Sequence, residues 1–179
     1  MTVDIDRYSE VFESHSTVMC VFAHPDDMEI NCGGLVARLC GDGKRVIVVA
    51  MTAGECGVGD RMISVEEYRG WRLRALSDAA RVLGIDDADV HCLGLVDGMV
   101  DASIANIGLV VELIRRFRPG LVITHEPAMH VHGLDPQTIW LNHRDHRHTA
   151  SIVFDAVYPY SRDRAFFPEQ IRAGLAGHS

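Results

Sequence analysis

The chain has 179 residues, which is enough for one domain with a substantial core and hardly enough for two. Hydrophobic residues make up 47% of it and charged residues 23%, as in an ordinary soluble globular protein. The formal net charge of −8 argues against a general binder of nucleic acid or anionic membranes, because phosphate contacts need clustered Lys and Arg. A small-molecule substrate is therefore the simpler expectation.

The cysteines and the N-terminal segment indicate a cytoplasmic protein. The chain has five cysteines, an odd number without a C-x-x-C pair, which favours reduced and partly buried thiols over a disulfide framework. Residues 1–16 are polar and acidic and lack the apolar stretch of a signal peptide, so we interpret them as an N-terminal extension of one domain over 17–179. No apolar run approaches the ~20 residues of a membrane helix. We therefore expect a cytoplasmic location without membrane insertion.

Short apolar runs alternate with helical patterns along the chain. The first half predicts a strand over 17–23, a helix over 32–40, a strand over 45–51 and a helix over 65–83. The second half predicts a strand over 89–93, a helix over 104–117, a strand over 121–124, a long loop over 126–141 and a helix that begins near Asn142. This alternation predicts an α/β fold, with a Rossmann-like and mostly parallel sheet covered by helices on both faces. The helix over 65–83 is expected to face the core with Trp71, Leu73, Leu76, Ala80 and Leu83.

Polar residues follow each predicted strand, at the end where parallel sheets bind their ligands. These residues are His24, Asp26, Asp27 and Glu29 after the first strand, Thr52, Gly54 and Glu55 after the second, Asp97 and Gly98 after the third, and His125 and Glu126 after the fourth. We therefore expect them to meet at one edge of the sheet.

The first motif that indicates chemistry is Ala-His-Pro-Asp-Asp-Met-Glu at residues 23–29. Its three carboxylates follow a buried strand, and such a cluster is costly unless cations or hydrogen bonds offset the charge. A capped helix start explains the aspartates, since acidic residues favour helix N-termini, but it does not explain His24. Imidazole and carboxylate together suit zinc, with iron or cobalt as alternatives.

The second motif is Asn-His-Arg-Asp-His-Arg-His at residues 142–148. His143 and His146 are three positions apart, so on one helical face they can point at a single site. The other interpretation is a solvated helix start with an Asn cap and alternating charges. The presence of the first motif in the same chain favours the metal site.

These two motifs resemble those of the LmbE-like (PIG-L) family of metal-dependent N-deacetylases, in which A-H-P-D-D-x-E follows the first strand and H-x-D-H comes later. Residues 51–57 (MTAGECG) are similar to the family's T-x-G-E-x-G segment, and residues 93–98 (LGLVDG) to its L-G-x-x-D-G loop. Arg72, followed by Leu83 and Gly84, is similar to its helix leading into Leu-Gly. The resemblance covers roughly residues 17 to 150 and implies an LmbE-like deacetylase domain over 17–179.

The resemblance also implies a role for particular residues. It implies that Zn²⁺, or Fe²⁺ or another divalent metal in the cell, is held by His24, Asp27 and His146. It implies a general base at Asp26, an oxyanion-stabilising histidine at His143 and a carboxylate tuning that histidine at Asp145. Contacts to an N-acetylglucosamine-type conjugate, the expected small-molecule partner, are assigned to Arg72, Glu55, Asp97 and His125.

Three features depart from the family pattern. Ala75 stands where the family commonly has a glutamate. The loop over 126–141 is long and carries His130, His132 and Trp140. Family members usually continue for some tens of residues more, so we expect either a truncated chain or a reduced member whose pocket is closed by another subunit of a homo-oligomer.

Two other functions stay open at this stage. A non-haem iron(II) oxygenase is one, because His24, Asp26 and a distant His146 mimic its facial triad. That chemistry usually sits on an all-β barrel, and the βα alternation speaks against it. A catalytically reduced binding or regulatory domain is the other, which the retention of both Asp26 and Asp27 opposes.

Overall fold

The computed structural model of this chain describes residues 7–133 and 139–179. The helices are α1 Arg7–Phe12, α2 Asp27–Gly41, α3 Val65–Leu83, α4 Ile104–Phe117, α5 Arg144–Asp155 and α6 Pro168–Arg172. The strands are β1 Thr17–Phe22, β2 Arg45–Thr52, β3 Val90–Leu95, β4 Leu121–Ile123, β5 Val131–Gly133 and β6 Ile139–Leu141. Short 3₁₀ turns lie at Glu55–Val58 and Asp87–Asp89, and a π-helical turn at Ala156–Tyr160 follows α5. Within the described ranges no helix has the length and apolar character to cross a membrane.

Four parallel strands form the main sheet, in the order β3-β2-β1-β4. Strand β1 is central and pairs with β2 from Thr17 opposite Arg45, and with β4 from Val18 opposite Leu121. The order of the strands reverses between β1 and β4, so the carboxyl ends of these two strands border a crevice, which is the usual ligand position in such sheets. The predicted α/β fold with a parallel sheet flanked by helices is confirmed.

Strand β1 is apolar throughout because both of its faces are covered. Successive side chains of a strand point to opposite faces. Met19 and Val21 belong to a buried cluster with residues of α4 and α5, and Val18, Cys20 and Phe22 to a second cluster with residues of α2 and α3. A continuous apolar run is the pattern expected for such a doubly covered strand.

The strand boundaries differ from the predicted ones by one or two residues, and three segments differ more. Helix α2 begins at Asp27 instead of residue 32, since the acidic residues of the first motif form its first turn. The predicted 126–141 loop contains the antiparallel hairpin of β5 and β6. The predicted extension over 1–16 includes helix α1, in which Tyr8 packs against the second cluster and donates a hydrogen bond of 2.7 Å to Asp42.

The predicted core stripe of α3 is wrong at Trp71, which is 51% exposed. The buried residues of the helix are Tyr68, Leu76 and Ala80. Leu76 and Ala80 are therefore buried as predicted, and Leu83 packs against the second cluster. Tyr68, Arg72, Leu76 and Ala80 form an i, i+4 series, which directs Arg72 inward, toward the carboxyl end of the sheet.

The segment after α5 is held to α4 by one buried cation. Arg115 is 2% exposed, and its guanidinium donates hydrogen bonds to the carbonyl oxygens of Tyr160, Ser161, Asp163, Phe166 and Phe167 and to Oε1 of Gln170. One side chain therefore provides donors for several carbonyls of a chain segment with little regular structure.

We predict that Arg115→Met lowers the free energy of unfolding by roughly 3 kcal/mol or more, since hydrogen bonds to a charged donor contribute about 1.5–3 kcal/mol each and the carbonyls stay buried. The neighbouring Arg116→Met is the matched control. Arg116 is 55% exposed and pairs with Glu112, so its loss is expected to cost about 1 kcal/mol or less. Urea unfolding followed by circular dichroism measures both, and equal midpoints for the two variants would contradict the assignment.

Candidate metal centre and catalytic cleft

Three residues that the sequence predicts as metal ligands lie together at the carboxyl end of β1. His24 follows the strand, Asp27 begins α2, and His146 lies in the first turn of α5. The Nε2 atom of His146 is 3.2 Å from Oδ1 of Asp27 and 3.2 Å from Nδ1 of His24. Nδ1 of His24 is in turn 3.3 Å from Oδ2 of Asp27. The three donor atoms thus surround one point between the strand and the helix.

His125, predicted as a substrate contact, lies against this group instead. It follows β4, is 8% exposed, and places Nε2 at 3.3 Å from Oδ2 of Asp27. Its ring stacks on that of His146, with 4.0 Å between the centroids and an interplanar angle of 9°. His125 is therefore the third imidazole ring in contact with the Asp27 carboxylate.

In neutral His125 and neutral His24, the ring hydrogens point away from Asp27. His125 Nε2 accepts a hydrogen bond of 3.2 Å from the backbone N–H of Ala23, so this nitrogen carries a lone pair. His24 Nε2 lies 3.1 Å from Oδ1 of Asp97, and a neutral His24 that donates there leaves a lone pair on Nδ1. Lone-pair nitrogens beside a buried carboxylate are unfavourable unless a cation lies among them or a ring is protonated.

The pKa values of His24 and Asp27 without a metal reflect the same electrostatic interactions. Burial by itself lowers the pKa of His24, but hydrogen bonds with Asp145 and Asp27 outweigh it and raise this pKa to about 10. Burial opposes ionisation of Asp27, yet contacts with His125, His146 and His24 hold its pKa well below the usual range. Without a metal, a protonated His24 therefore supplies the positive charge that the buried Asp27 carboxylate requires, which is the role a metal ion would take.

The donor set fits a divalent metal ion. Among the described residues, ligand atoms within 4.8 Å of one another occur in three overlapping sets, which are His24–His143–His146, Asp27–His125–His146 and His24–Asp97–Asp145. Imidazole nitrogens and carboxylate oxygens are the donors that zinc takes in catalytic sites. The predicted ligands His24, Asp27 and His146 are divided between the first two of these sets, so the candidate metal centre lies between β1 and α5.

Two carboxylates lie on the far side of the His24 ring. Asp97 Oδ1 is 3.1 Å and Asp145 Oδ2 is 3.5 Å from His24 Nε2. The Asp145 carboxylate is fully buried and accepts the N–H groups of Gly98 at 2.7 Å and Val100 at 3.2 Å. The resemblance assigns Asp145 to tuning of His143, whereas these contacts connect it to His24 and to the loop after β3.

Asp97 and Glu55, both predicted to contact substrate, connect this loop to the turn after β2. Oδ2 of Asp97 accepts the N–H of Cys56 at 2.8 Å, and Oε1 of Glu55 accepts the N–H of Asp97 at 3.3 Å. Arg69 lies 3.6 Å from Glu55. Glu55 thus stabilises the loop that carries Asp97.

His143 and His146 converge on one site, as their spacing of three residues predicts, because their ligand atoms and that of His24 lie within 4.8 Å of one another. His143 does so as the N-cap of α5. Its Nδ1 accepts the backbone N–H of Asp145 at 3.2 Å, which leaves the ring hydrogen of neutral His143 on Nε2. Burial and the positive charge of His24 lower the pKa of His143. His143 is therefore a neutral hydrogen-bond donor.

Asp26 has a strained backbone and an exposed side chain. Its φ of 128° lies in a region that non-glycine residues rarely adopt. The side chain is 49% exposed and, in the described structure, makes no capping hydrogen bond to α2, so the helix-cap interpretation does not account for it. Oδ2 instead accepts a hydrogen bond of 3.1 Å from Arg72, which also donates to the carbonyl of Pro25.

These groups border an open cleft of about 420 Å³ beside the candidate metal centre. Its lining comprises His24, Asp26, Gly54, Cys56, Gly57, Tyr68, Arg72, Asp97, Gly98 and His143. Of the predicted substrate residues, Arg72 and Asp97 are in this lining, while Glu55 and His125 are not. Tyr68 was missed, although its position one helical turn before Arg72 would have identified it.

One departure from the family pattern, Ala75, lies beside the cleft. Ala75 lines a smaller cavity of about 160 Å³ together with Asp26, Glu29 and Arg72. His130 is exposed in the segment before β5. The side chain of His132 lies outside the described part of the structure.

The fold and the site define an α/β protein with a candidate metal centre at the crevice of a parallel sheet. The model of one family with these features, the GlcNAc-PI de-N-acetylases (PIG-L), matches residues 19–157. The chain belongs to this family.

Individual relatives agree with this assignment. The chain is 29% identical over 173 residues to a diacetylchitobiose deacetylase of Thermococcus kodakarensis, covering 97% of this chain and 60% of the relative. It is 31% identical over 163 residues to a 1D-myo-inositol 2-acetamido-2-deoxy-alpha-D-glucopyranoside deacetylase of Mycobacterium leprae, covering 78% and 49%. The structure of an N,N'-diacetylchitobiose deacetylase from Pyrococcus horikoshii is similar with a TM-score of 0.84 and 27% identity, over 94% of this chain and 58% of that one. The chain therefore spans about half to three-fifths of the length of these relatives.

We predict that the purified protein binds zinc and that His146→Ala abolishes most of this binding, since the variant removes a nitrogen donor from the centre. Metal analysis measures occupancy, and thermal unfolding with and without zinc measures the linked stabilisation, about 2.7 kcal/mol at a hundred times Kd. His148→Ala, on the same helix but outside the three ligand sets, is the control. Full zinc occupancy in His146→Ala would refute the ligand assignment.

Proposed function

We propose that this protein is a zinc-dependent N-deacetylase that hydrolyses the acetamide of an N-acetylglucosamine-type conjugate. The observation that carries the proposal is the convergence of His24, Asp27 and His146 beside a cleft that Asp26 and His143 line. The names of the curated relatives, which are deacetylases of acetamido sugars, support the substrate class.

In this proposal His24, Asp27 and His146 would hold the ion. When bound, such an ion polarises an amide carbonyl and makes water a better nucleophile near neutral pH. Zinc is the metal that two imidazoles and one carboxylate favour, with iron(II) as the alternative.

Asp26 acts as the general base. Its carboxylate takes a proton from the water whose oxygen forms the new bond to the amide carbon. It then delivers that proton to the amide nitrogen as the C–N bond breaks, so that acetate and a free amine leave. Arg72 fixes the carboxylate for this transfer, since its guanidinium contacts both Asp26 and the preceding carbonyl.

His143 stabilises the negative charge that develops on the carbonyl oxygen. Because Nδ1 already accepts the N–H of Asp145, the Nε2–H is the group available to the substrate. A neutral donor of this kind requires no protonation of the ring, which the lowered pKa of His143 disfavours.

The cleft suits a small polar ligand. Its volume of about 420 Å³ falls in the roughly 300–1,000 Å³ range of small-molecule pockets. Arg72, Tyr68 and Asp97 supply hydrogen-bonding groups along its wall, as sugar hydroxyls require.

The function is tested by incubating the zinc-loaded protein with N-acetylglucosamine, N,N'-diacetylchitobiose and an N-acetylglucosaminyl inositol. We expect equal amounts of acetate and primary amine from at least one of them, and none from an N-acetylated amino acid. A fully zinc-occupied protein that releases neither product from any acetamido sugar would favour a non-catalytic binding domain.

The two adjacent aspartates are predicted to fail in different ways. Asp26→Asn, chosen because Asn also tolerates positive φ, is expected to keep its zinc and lose roughly 10²–10⁴ in kcat, the usual contribution of a general base. Asp27→Asn is expected to lose zinc and activity together and to recover part of both in excess zinc. Metal content measured alongside kcat distinguishes them, and equal loss of metal in both variants would contradict this division.

For His143→Ala we predict zinc binding close to wild type and a loss of roughly 10²–10³ in kcat, as for removal of one oxyanion donor. Because His143 also caps α5, thermal unfolding of the variant separates a folding defect from a catalytic one. Wild-type turnover in a folded variant would leave His143 with its capping role alone.

A further inference from the structure

Asn142 connects the candidate metal centre to the β5–β6 hairpin. The residue is 4% exposed and directly precedes the N-cap of α5. Its side-chain Nδ2 donates to the carbonyl of Met129 at 2.8 Å, and its backbone N–H donates to the carbonyl of His130 at 2.9 Å. On the opposite side its Oδ1 lies 3.2 Å from Nδ1 of His146.

These contacts determine which nitrogen of His146 carries the hydrogen. The Met129 carbonyl can only accept, so the amide nitrogen of Asn142 must face it and the amide oxygen must face His146. An amide oxygen only accepts, so Nδ1 of His146 is the donor. Nε2 then carries the lone pair, directed at Asp27 and His24.

We infer that Asn142 is a positioning residue, which holds His146 in the one tautomer able to bind a metal through Nε2. The inference rests on the proposed metal centre. In the other tautomer the hydrogen on Nε2 of His146 occupies the direction of the metal bond. The His146 ring would then have to change its tautomer before it could bind the metal. Residues that hold the second nitrogen of a histidine ligand typically contribute 10- to 100-fold to metal affinity.

The helix-cap explanation of Asn142 does not hold. The N-cap of α5 is His143, whose own Nδ1 accepts the N–H of Asp145. The amide of Asn142 makes its hydrogen bonds to Met129 and His146 instead. The residue therefore has the two tasks of anchoring the hairpin and orienting the histidine, and two substitutions separate them.

The test compares zinc affinity, by competition with a chromogenic chelator, among the wild type, Asn142→Ala and Asn142→Asp. Alanine removes both contacts, and we expect it to weaken zinc binding by about 10- to 100-fold. Aspartate keeps an acceptor for His146 but loses the donor to Met129, so we expect zinc affinity within threefold of wild type. Asn106→Ala, which removes a side-chain amide bonded to the Asp101 carbonyl and touches none of the three ligand sets, is the matched control.

A spectroscopic measurement supplements the affinities. Nitrogen NMR of the imidazole rings of the metal-free wild type is expected to find the hydrogen of His146 on Nδ1, and the zinc-free protein is used because zinc on Nε2 would leave the hydrogen on Nδ1 whatever Asn142 does. If Asn142→Ala does not fold, the aspartate variant and this spectrum decide between the two roles. If Asn142 only anchored the hairpin, Asn142→Asp would bind zinc weakly, because it lacks the donor to Met129.

Zinc affinity of Asn142→Ala within threefold of wild type, or equal weakening in both variants, would overturn the inference. Absence of zinc binding by the wild type would overturn it together with the proposed function. Zinc binding and deacetylation by the wild type with an unaffected Asn142→Ala would overturn the inference alone.

Discussion

The Asp27 carboxylate is nearly buried and in contact with three imidazole rings, and the remainder of the site depends on this arrangement. Burial disfavours its charge, but the surrounding histidines hold its pKa low, so the carboxylate stays ionised inside the protein. His125 faces it with a lone-pair nitrogen, because the N–H of Ala23 already occupies the hydrogen-bonding direction of that atom. A cation at this point removes the repulsion, which is why the cluster favours metal binding over an isolated network of hydrogen bonds.

The fold assembles this cluster from distant parts of the chain by means of the strand order. The carboxyl ends of β1 and β4 are neighbours, so His24 and His125 meet there, and α5 supplies His146 from a different segment. Asp145 of the same helix binds the loop after β3, so that a single helix start fixes both a candidate ligand and one wall of the cleft. Movement of α5 would therefore affect the candidate metal centre and the cleft together.

The sequence predicted the parallel sheet and the meeting of polar residues at its edge. Both follow from the order of apolar and polar residues along the chain. The sequence did not predict every side-chain direction. Periodicity correctly placed Leu76 and Ala80 of α3 in the core, but it also put Trp71 there and left Tyr68 unnoticed. The i, i+3 spacing correctly brought His143 and His146 to one site, but it did not predict that His143 is the helix cap, whose ring direction is set by one backbone N–H. Such directions depend on tertiary contacts that no local pattern contains.

Backbone strain at Asp26 connects the geometry to the proposed chemistry. A φ of 128° costs on the order of 1–3 kcal/mol and persists only where surrounding contacts enforce it. Arg72 provides such contacts, and it has room to do so because Gly54, at φ +67°, has no side chain; a Cβ there would lie 3.0 Å from the guanidinium. Relaxation of Asp26 to an ordinary helix cap would turn its carboxylate toward α2 and away from the cleft. The strain therefore maintains one carboxylate in the cleft while its neighbour Asp27 faces the metal centre.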